Sequence, residues 1–240
     1  SGIDSILVGD SLGNVILGLG DTVSVTMEDM IHHGAAVARG AKNALVVVDM
    51  PFMSYQSSVY DAVVNAGRLM KEARANAVKL EGGVEVADRI RAIVDCQIPV
   101  CAHIGLTPQG INALGGFKVQ GKTADSARKL LEDAHAVEEA GAFAVVLEAI
   151  PAELAERVSA ELTIPTIGIG AGAGCDGQVL VNQDMLGMFH DFTPKFVRRF
   201  AEVGDVMLEA YRAYDAAVKD GSFPAAEHTY AAPAGVLENL

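Results

Sequence analysis

The segment Asn76-Ala-Val-Lys-Leu-Glu-Gly-Gly83 is an apolar run that ends in a charged pair and then in two glycines. Side chains two residues apart lie on the same face of a strand, so Lys79 and Glu81 project together near its carboxyl end. A buried cation and a buried anion are costly unless they are used, although a structural ion pair explains one such strand. Four other predicted strands also end in titratable residues, which favours a shared site.

Strands and helices alternate along the chain. Strands are predicted over residues 5–10, 43–49, 76–81, 99–105, 142–148, 164–170 and 178–181, and helices over residues 26–40, 58–74, 84–95, 123–141, 152–162 and 193–219. The strand at 43–49 is so continuously apolar that both of its faces must be covered, as in a parallel sheet. Alternation of this kind indicates an α/β fold.

The number of strands favours a barrel. Seven strands are predicted, and the pattern begins abruptly. A (β/α)8 TIM barrel whose first βα unit is absent from this chain fits that count better than an open doubly wound sheet. We expect a single (β/α) barrel domain over residues 1–222 and a C-terminal tail over residues 223–240. In such a barrel, reactive groups gather at the carboxyl ends of the strands.

Composition narrows the range of partners. The 18 Lys and Arg residues against 31 Asp and Glu give a formal charge of -13, which argues against binding to nucleic acid or to an anionic membrane. A small anionic substrate would need a local cation or a metal. The three cysteines lack a metal-type spacing and are expected to be reduced. No apolar run is long enough to cross a bilayer and no leader is recognisable, so we expect a soluble, cytoplasmic protein.

Three strand ends carry hard oxygen donors. Asp10, Asp49 and Glu81 come from three different strands and suit Mg²⁺, which is held by few protein ligands together with water and substrate oxygens. Zinc would want more nitrogen or sulfur. Each aspartate alone could be a helix N-cap or a turn former, but three carboxylates at matched positions predict a metal site.

The other strand ends suggest substrate binding and proton transfer. Lys79 could bind a substrate carboxylate or form a Schiff base, and the neighbouring Glu81 favours the charged lysine and thus the electrostatic role. Glu148 ends an otherwise apolar strand and is the candidate general base. His103 is either a polar residue that lines the substrate site or a catalyst, and both possibilities stay open.

Two glycine-rich segments match the residue pattern of nucleotide-binding motifs but lack the structural context that those motifs require. The P-loop match over residues 116–123 follows a polar segment where a buried strand would be required, so it predicts an ordered loop over the barrel mouth. The segment 168–174 resembles a dinucleotide fingerprint, but no second strand with a terminal acid follows at the proper distance. It is better interpreted as a barrel loop whose backbone comes close to a ligand or to another strand.

Eight segments run in order across nearly the whole chain: Val8-Gly-Asp-Ser-Leu-Gly13, Asp49-Met-Pro-Phe-Met-Ser-Tyr55, Val78-Lys-Leu-Glu-Gly-Gly83, Ala102-His-Ile-Gly-Leu-Thr-Pro-Gln109, Gly115-Gly-Phe-Lys-Val-Gln-Gly-Lys-Thr123, Leu147-Glu148, Ile167-Gly-Ile-Gly-Ala-Gly172 and Asp184-Met-Leu-Gly187. Together they resemble the ketopantoate hydroxymethyltransferase family of pantothenate biosynthesis. The resemblance implies a Mg²⁺-dependent barrel of the phosphoenolpyruvate and pyruvate class that assembles as a homodecamer. It also implies transfer of a hydroxymethyl group from 5,10-methylenetetrahydrofolate to 3-methyl-2-oxobutanoate, through a Mg²⁺-stabilised enolate, to give 2-dehydropantoate.

Roles for individual residues follow from the same resemblance. Asp10, Asp49 and Glu81 take the metal positions, Asp10, Ser11, Asp49 and Lys79 contact the oxo acid, and Glu148 is the proton acceptor. Two alternatives stay open. One is a Mg²⁺-dependent 2-oxo-acid lyase or aldolase of the same barrel class, and the other is a non-catalytic oxo-acid-binding protein.

Overall fold

The computed structural model describes residues 2–190 and 192–237, and the chain forms two compact units, Ser1–Val181 and Asn182–Leu240. The first unit contains a parallel sheet. Its strands within the described residues are β1 Ser5–Val8, β2 Leu45–Asp49, β3 Ala77–Glu81, β4 Val100–Gly105, β5 Ala144–Glu148, β6 Thr166–Ile169 and β7 Gly177–Gln178. Each strand pairs in parallel with the next one along the chain, as alternating strands and helices predict.

Helices connect the strands. Those of the first unit are α1 Leu12–Val15, α2 Met27–Gly40, α3 Val59–Lys71, α4 Ala87–Asp95, α5 Ile111–Leu114, α6 Ala124–Glu139 and α7 Ala152–Glu161, with 3₁₀ turns at Val84–Val86 and Pro108–Gly110. Three long helices begin at hydroxyl N-caps: the side chains of Thr26, Ser58 and Thr123 accept hydrogen bonds from backbone amides in the first turn. These caps satisfy amides that the helix itself leaves unpaired, which explains why the helices start where the sequence predicts.

Side chains of the strands alternate between two apolar clusters. Odd-numbered positions of β2 to β4 and even-numbered positions of β5 face a small inner cluster, and the alternate positions pack against the helices in a larger outer core. The inner cluster contains Val47, Ala77, Cys101, Ala144 and Val146. A cavity of about 80 Å³ beside it is lined by residues from every one of the seven described strands, so the sheet curls around its inner face. The predicted α/β fold with a curled parallel sheet is confirmed.

The second unit contains α8 Asn182–Met185 and α9 Val203–Asp220. The prediction of a helix from residue 193 was wrong for its first ten residues, because other backbone partners take the amides there. Phe200 and Val203 donate to the carbonyls of Met185 and Leu186 instead of to carbonyls one helical turn earlier. Within the described residues, no helix is long and apolar enough to cross a membrane.

The predicted division into a barrel domain over residues 1–222 and a tail over 223–240 stays a prediction. Residues 1, 191 and 238–240, which belong to those two ranges, lie outside the described residues.

Candidate functional site

The strand ends bring the predicted site residues together. Asp49, Glu81 and Glu148 are the last residues of β2, β3 and β5, Lys79 and His103 lie on the same inward faces of β3 and β4, and Asp10 follows β1 by two residues. The parallel register explains why these side chains lie close together, because it sets Asp49 opposite Lys79 and Glu81 opposite His103. All of these side chains are buried except that of Glu148, which is 16% exposed. The site therefore opens to solvent on the side of Glu148.

Lys79 is the central cation of the cluster. Its Nζ lies 3.0 Å from Asp49 Oδ1 and 3.3 Å from His103 Nδ1. Burial lowers the pKa of Lys79, but the charges of Asp49, Glu81 and Asp10 outweigh burial and raise this pKa above its ordinary value. Lys79 therefore stays protonated and attracts anions, which favours the predicted electrostatic role over a Schiff base.

His103 lies between two carboxylates. Its Nδ1 is 3.5 Å from Glu81 Oε1, and its Nε2 is 3.2 Å from Glu148 Oε2, a charge contact without well-angled hydrogen-bond geometry. Burial and the Lys79 charge lower the pKa of His103, but the contacts with Glu148 and Glu81 prevail and raise it to about 9. The contacts of both ring nitrogens make His103 the link between Glu148 and the buried cluster.

The pKa values of the three predicted metal ligands are shifted in different directions. Burial, followed by the neighbouring charges of Asp49 and Glu81, raises the pKa of Asp10 to about 8. Burial also raises the pKa of Asp49, although Lys79 opposes it. Burial acts the same way on Glu81, but its contacts with His103 and Lys79 prevail and lower its pKa. A proton on Asp10 therefore relieves the repulsion among the carboxylates, and a divalent cation would relieve it in the same way.

The carboxylates of Asp10, Asp49 and Glu81 are not arranged around a common metal position in the structure. Within residues 2–190 and 192–237, no three His, Cys, Asp or Glu side chains form a group able to hold a metal ion. Hydrogen bonds already engage one oxygen of each ligand candidate: Asp49 Oδ2 accepts from the amide of Asp10 at 3.0 Å, and Gln109 binds one oxygen of both Asp10 and Glu81. The other oxygens of Asp49 and Glu81 face Lys79 and His103. Buried Asp49 Oδ1 lacks a well-angled hydrogen bond within the described chain. The donor chemistry, all oxygen with surplus negative charge, fits Mg²⁺.

Two residues of the site had no role assigned from the sequence. Gln109 and Tyr55 are buried between the carboxylates, and the Tyr55 hydroxyl lies 2.7 Å from Gln109 Oε1. Both follow strand ends, Tyr55 after β2 and Gln109 after β4, within segments that carry the family resemblance. The only available signal was that position, because a glutamine in a polar loop gives no indication of burial.

Glycines give the site its close backbone approaches. A Cβ at Gly9 would lie 3.1 Å from the hydroxyl of Ser11, a half-buried residue, and 3.5 Å from Asp49 Oδ2, so a side chain there would crowd the acidic pocket. Gly105 has φ +98°, and a Cβ on it would lie 2.3 Å from the carbonyl oxygen of Glu148. The glycine lets the ends of β4 and β5 approach closely enough for Leu106 to donate to that carbonyl.

The glycine-rich loop over residues 116–123 contacts the segment that follows Glu148. It comes after the short helix α5 and not after a strand, unlike the loop of a nucleotide-binding P-loop. The amide of Gln120 donates to the carbonyl of Ala149, the residue directly after Glu148, at 2.9 Å. The loop is therefore held at the Glu148 side of the site.

Solved structures share the fold. The structure is similar to a phosphonopyruvate hydrolase, with a TM-score of 0.58 and 14% identity over 99% of this chain and 82% of that one. A putative phosphonomutase from Burkholderia cenocepacia gives a TM-score of 0.51 and 16% identity over 91% of this chain and 86% of that one. At this level of identity the likeness shows the fold alone, and it agrees with the predicted barrel.

Sequence relatives are much closer. The profile of the ketopantoate hydroxymethyltransferase family matches residues 1–226. The 3-methyl-2-oxobutanoate hydroxymethyltransferases of Clostridium novyi and Enterococcus faecalis are each 66% identical over 240 residues, which are 100% of this chain and 87% of each relative. That of Clostridium acetobutylicum is 60% identical over 99% of this chain and 86% of its own length. The chain is therefore an enzyme of the transferase class and belongs to the ketopantoate hydroxymethyltransferase family.

Proposed function

We propose that the chain transfers a hydroxymethyl group from 5,10-methylenetetrahydrofolate to 3-methyl-2-oxobutanoate and forms 2-dehydropantoate. Family membership supports the reaction class. The observation that carries the chemistry is the unbroken set of contacts from Asp49 through Lys79 and His103 to Glu148, because it joins an anion-binding cation to a carboxylate with a solvent-facing side.

Asp10, Asp49 and Glu81 are proposed to hold Mg²⁺ through carboxylate oxygens. When bound, Mg²⁺ supplies positive charge that polarises the 2-oxo group and lowers the pKa of the neighbouring C–H. Asp10 must give up its proton for this, and Lys79 keeps the rest of the cluster close to neutral.

The oxo acid is an anion, and the Lys79 ammonium can attract it. Lys79 and His103 lie 3.3 Å apart between the acidic pocket and Glu148. The hydroxyl of Ser11 lies beside Gly9, which carries no side chain that would crowd Asp49. We therefore place the substrate carboxylate near Lys79 and Ser11, with its C3 atom directed toward Glu148. His103 then lines the substrate site.

Glu148 is proposed to accept the C3 proton. His103 Nε2 contacts only one of its oxygens, Oε2, and thereby orients the carboxylate while Oε1 is left for the substrate. Glu148 is also the most exposed member of the cluster, so a proton taken from C3 can pass to water after turnover. Loss of the proton makes C3 nucleophilic toward the methylene carbon of the folate, and water then supplies the hydroxyl group of the product as tetrahydrofolate leaves.

The folate requirement separates this function from the alternatives. Protein, Mg²⁺ and 3-methyl-2-oxobutanoate are incubated with and without methylenetetrahydrofolate, and products are identified by mass spectrometry. We expect 2-dehydropantoate to form only when the folate is present. A chelator that removes the metal should stop its formation. Cleavage of a 2-oxo acid without folate would support the lyase or aldolase instead, and binding without any product would support the non-catalytic protein.

Assembly and location are further parts of the proposal. A homodecamer in the cytoplasm is expected from the family resemblance. Light scattering after size-exclusion chromatography measures the assembly directly, and a mass near ten times the 25.0 kDa of the chain would support it.

A further inference from the structure

We propose that Gln109 is a positioning residue for the metal site: it fixes the orientation of the Asp10 and Glu81 carboxylates and leaves Oδ1 of Asp10 for the cation. The inference rests on the proposed metal-dependent function and extends it to a residue outside the predicted ligand set. Gln109 is only 4% exposed, although it is a polar residue in a loop. A buried amide in such a place needs partners, and its partners are the metal-ligand candidates themselves.

Gln109 binds both carboxylates through different groups. Its backbone amide donates to Glu81 Oε2 at 3.0 Å. Its side-chain Nε2 donates to Asp10 Oδ2 at 2.8 Å and to the carbonyl oxygen of Met50 at 2.9 Å. Gln109 engages Oδ2 of Asp10 and Oε2 of Glu81, so it fixes the rotation of each carboxylate without contacting Oδ1 or Oε1.

The orientation of the Gln109 amide is itself fixed. Its Oε1 lies 2.7 Å from the hydroxyl of Tyr55 and accepts from Nε2 of Gln56 at 3.0 Å. The single Tyr55 hydroxyl proton could also go to the carbonyl of Glu81 at 3.1 Å, but the contact with Gln109 is shorter. A flipped amide would set its donors against Gln56 and its oxygen against Asp10. The neighbours therefore keep Nε2 directed at the carboxylate.

Position in the fold explains why one residue reaches so many partners. Gln109 lies in the 3₁₀ turn Pro108–Gly110 that follows β4, and its contacts span the ends of β1, β2 and β3. A glutamate there would add another anion to the cluster, and an apolar residue would leave Asp10 Oδ2 without its donor. An amide supplies two donors and two acceptor positions without charge, which suits a connector between carboxylates.

The test is Mn²⁺ affinity, measured by electron paramagnetic resonance as the loss of free-ion signal. Gln109→Met keeps the size of the side chain and the backbone contact with Glu81 but removes the side-chain hydrogen bond to Asp10. The Kd for Mn²⁺ should therefore rise by about 10- to 100-fold, as is usual when the support of a metal ligand is lost. Tyr55→Phe removes one of the two donors that orient the amide and should raise Kd in the same direction but less. Gln97→Met, at an exposed position at the other end of β4, is the matched control and should leave Kd unchanged.

A positioning role also predicts recovery. Turnover of Gln109→Met should return toward that of the unchanged protein at saturating Mn²⁺, which a general structural defect would not allow. An unchanged Kd in a folded Gln109→Met variant overturns the role of Gln109 but leaves the proposed metal-dependent function standing. If that variant does not fold by circular dichroism, an unchanged Kd in Tyr55→Phe overturns it. Absence of Mn²⁺ binding by the unchanged protein would overturn this inference together with the proposed metal-dependent function.

Discussion

Removal of the buried cation should cost far more stability than removal of an exposed one. Lys79→Met keeps most of the aliphatic stem but deletes the ammonium that lies 3.0 Å from Asp49 Oδ1. The side chains of Lys79 and Asp49 are 5% and 4% exposed, so water cannot replace the lost partner. Breaking a buried pair by removing one partner costs about 3–5 kcal/mol, or roughly two to four powers of ten in the unfolding equilibrium.

The stability that the Lys79→Met variant is expected to lose depends on pH. Lys79 forms an ion pair with Asp49, so its removal leaves a buried anion without its partner. Burial raises the pKa of Asp49, so this carboxylate takes up a proton as pH falls, the surplus charge disappears, and the stability difference between the variant and the unchanged protein shrinks. The loss should therefore be largest at the higher pH.

The assay is urea unfolding followed by circular dichroism at pH 7.5 and pH 5. The matched control is Arg68→Met, which removes a cation from ion pairs with Glu28 and Glu72 at the surface, where such pairs contribute little. Equal losses for the two variants, or a Lys79→Met loss that grows as pH falls, would refute the electrostatic description of the site.

Three further predictions concern the metal and the backbone. Mg²⁺ affinity, measured by calorimetry, should increase from pH 6.5 to pH 9, because Asp10, with its pKa raised to about 8, must lose a proton to bind the cation; an affinity that does not change with pH contradicts this. Asp49→Ala should abolish binding of both Mg²⁺ and the oxo acid, whereas Asp10→Asn, which keeps one oxygen donor, should weaken Mg²⁺ binding less in the same titration; the opposite ranking would count against the ligand assignment. Gly105→Ala should lower the thermal midpoint and the activity, because its Cβ would overlap the carbonyl oxygen of Glu148; an unchanged midpoint would mean that the strand ends can separate.

The sequence predicts the strand ends well, for a simple geometric reason. Side chains alternate with a period of two in a strand, and parallel strands end on the same side of a sheet. Lys79 and Glu81 therefore share an inward face. Asp49, His103 and Glu148 lie at the same edge in a staggered arrangement, because the register sets Asp49 opposite Lys79, His103 opposite Glu81 and Glu148 opposite Gly105. Local periodicity carries this information, so no contact between distant residues had to be known.

Contacts between distant segments were not predictable in this way. Gln109 is 99 residues from Asp10 along the chain, and its burial depends on the fold of four strand ends. The role of His103 was left open because its position between Glu81 and Glu148 is set by the register of β3, β4 and β5. The late start of α9 has the same origin, since backbone contacts with Met185 and Leu186 override local helix propensity.

Exchange of the C3 proton of 3-methyl-2-oxobutanoate with deuterated water isolates the role of Glu148 as the base, because this half-reaction needs no folate. Glu148→Gln should still bind Mg²⁺ and the oxo acid, since the proposed ligands lie on other strands. Its exchange rate, followed by nuclear magnetic resonance, should fall by about 10²- to 10⁴-fold, with an equal fall in turnover. Glu153→Gln, at an exposed position on α7, should exchange normally. Normal exchange by Glu148→Gln with reduced turnover would contradict the account and move Glu148 to the folate or product-release step.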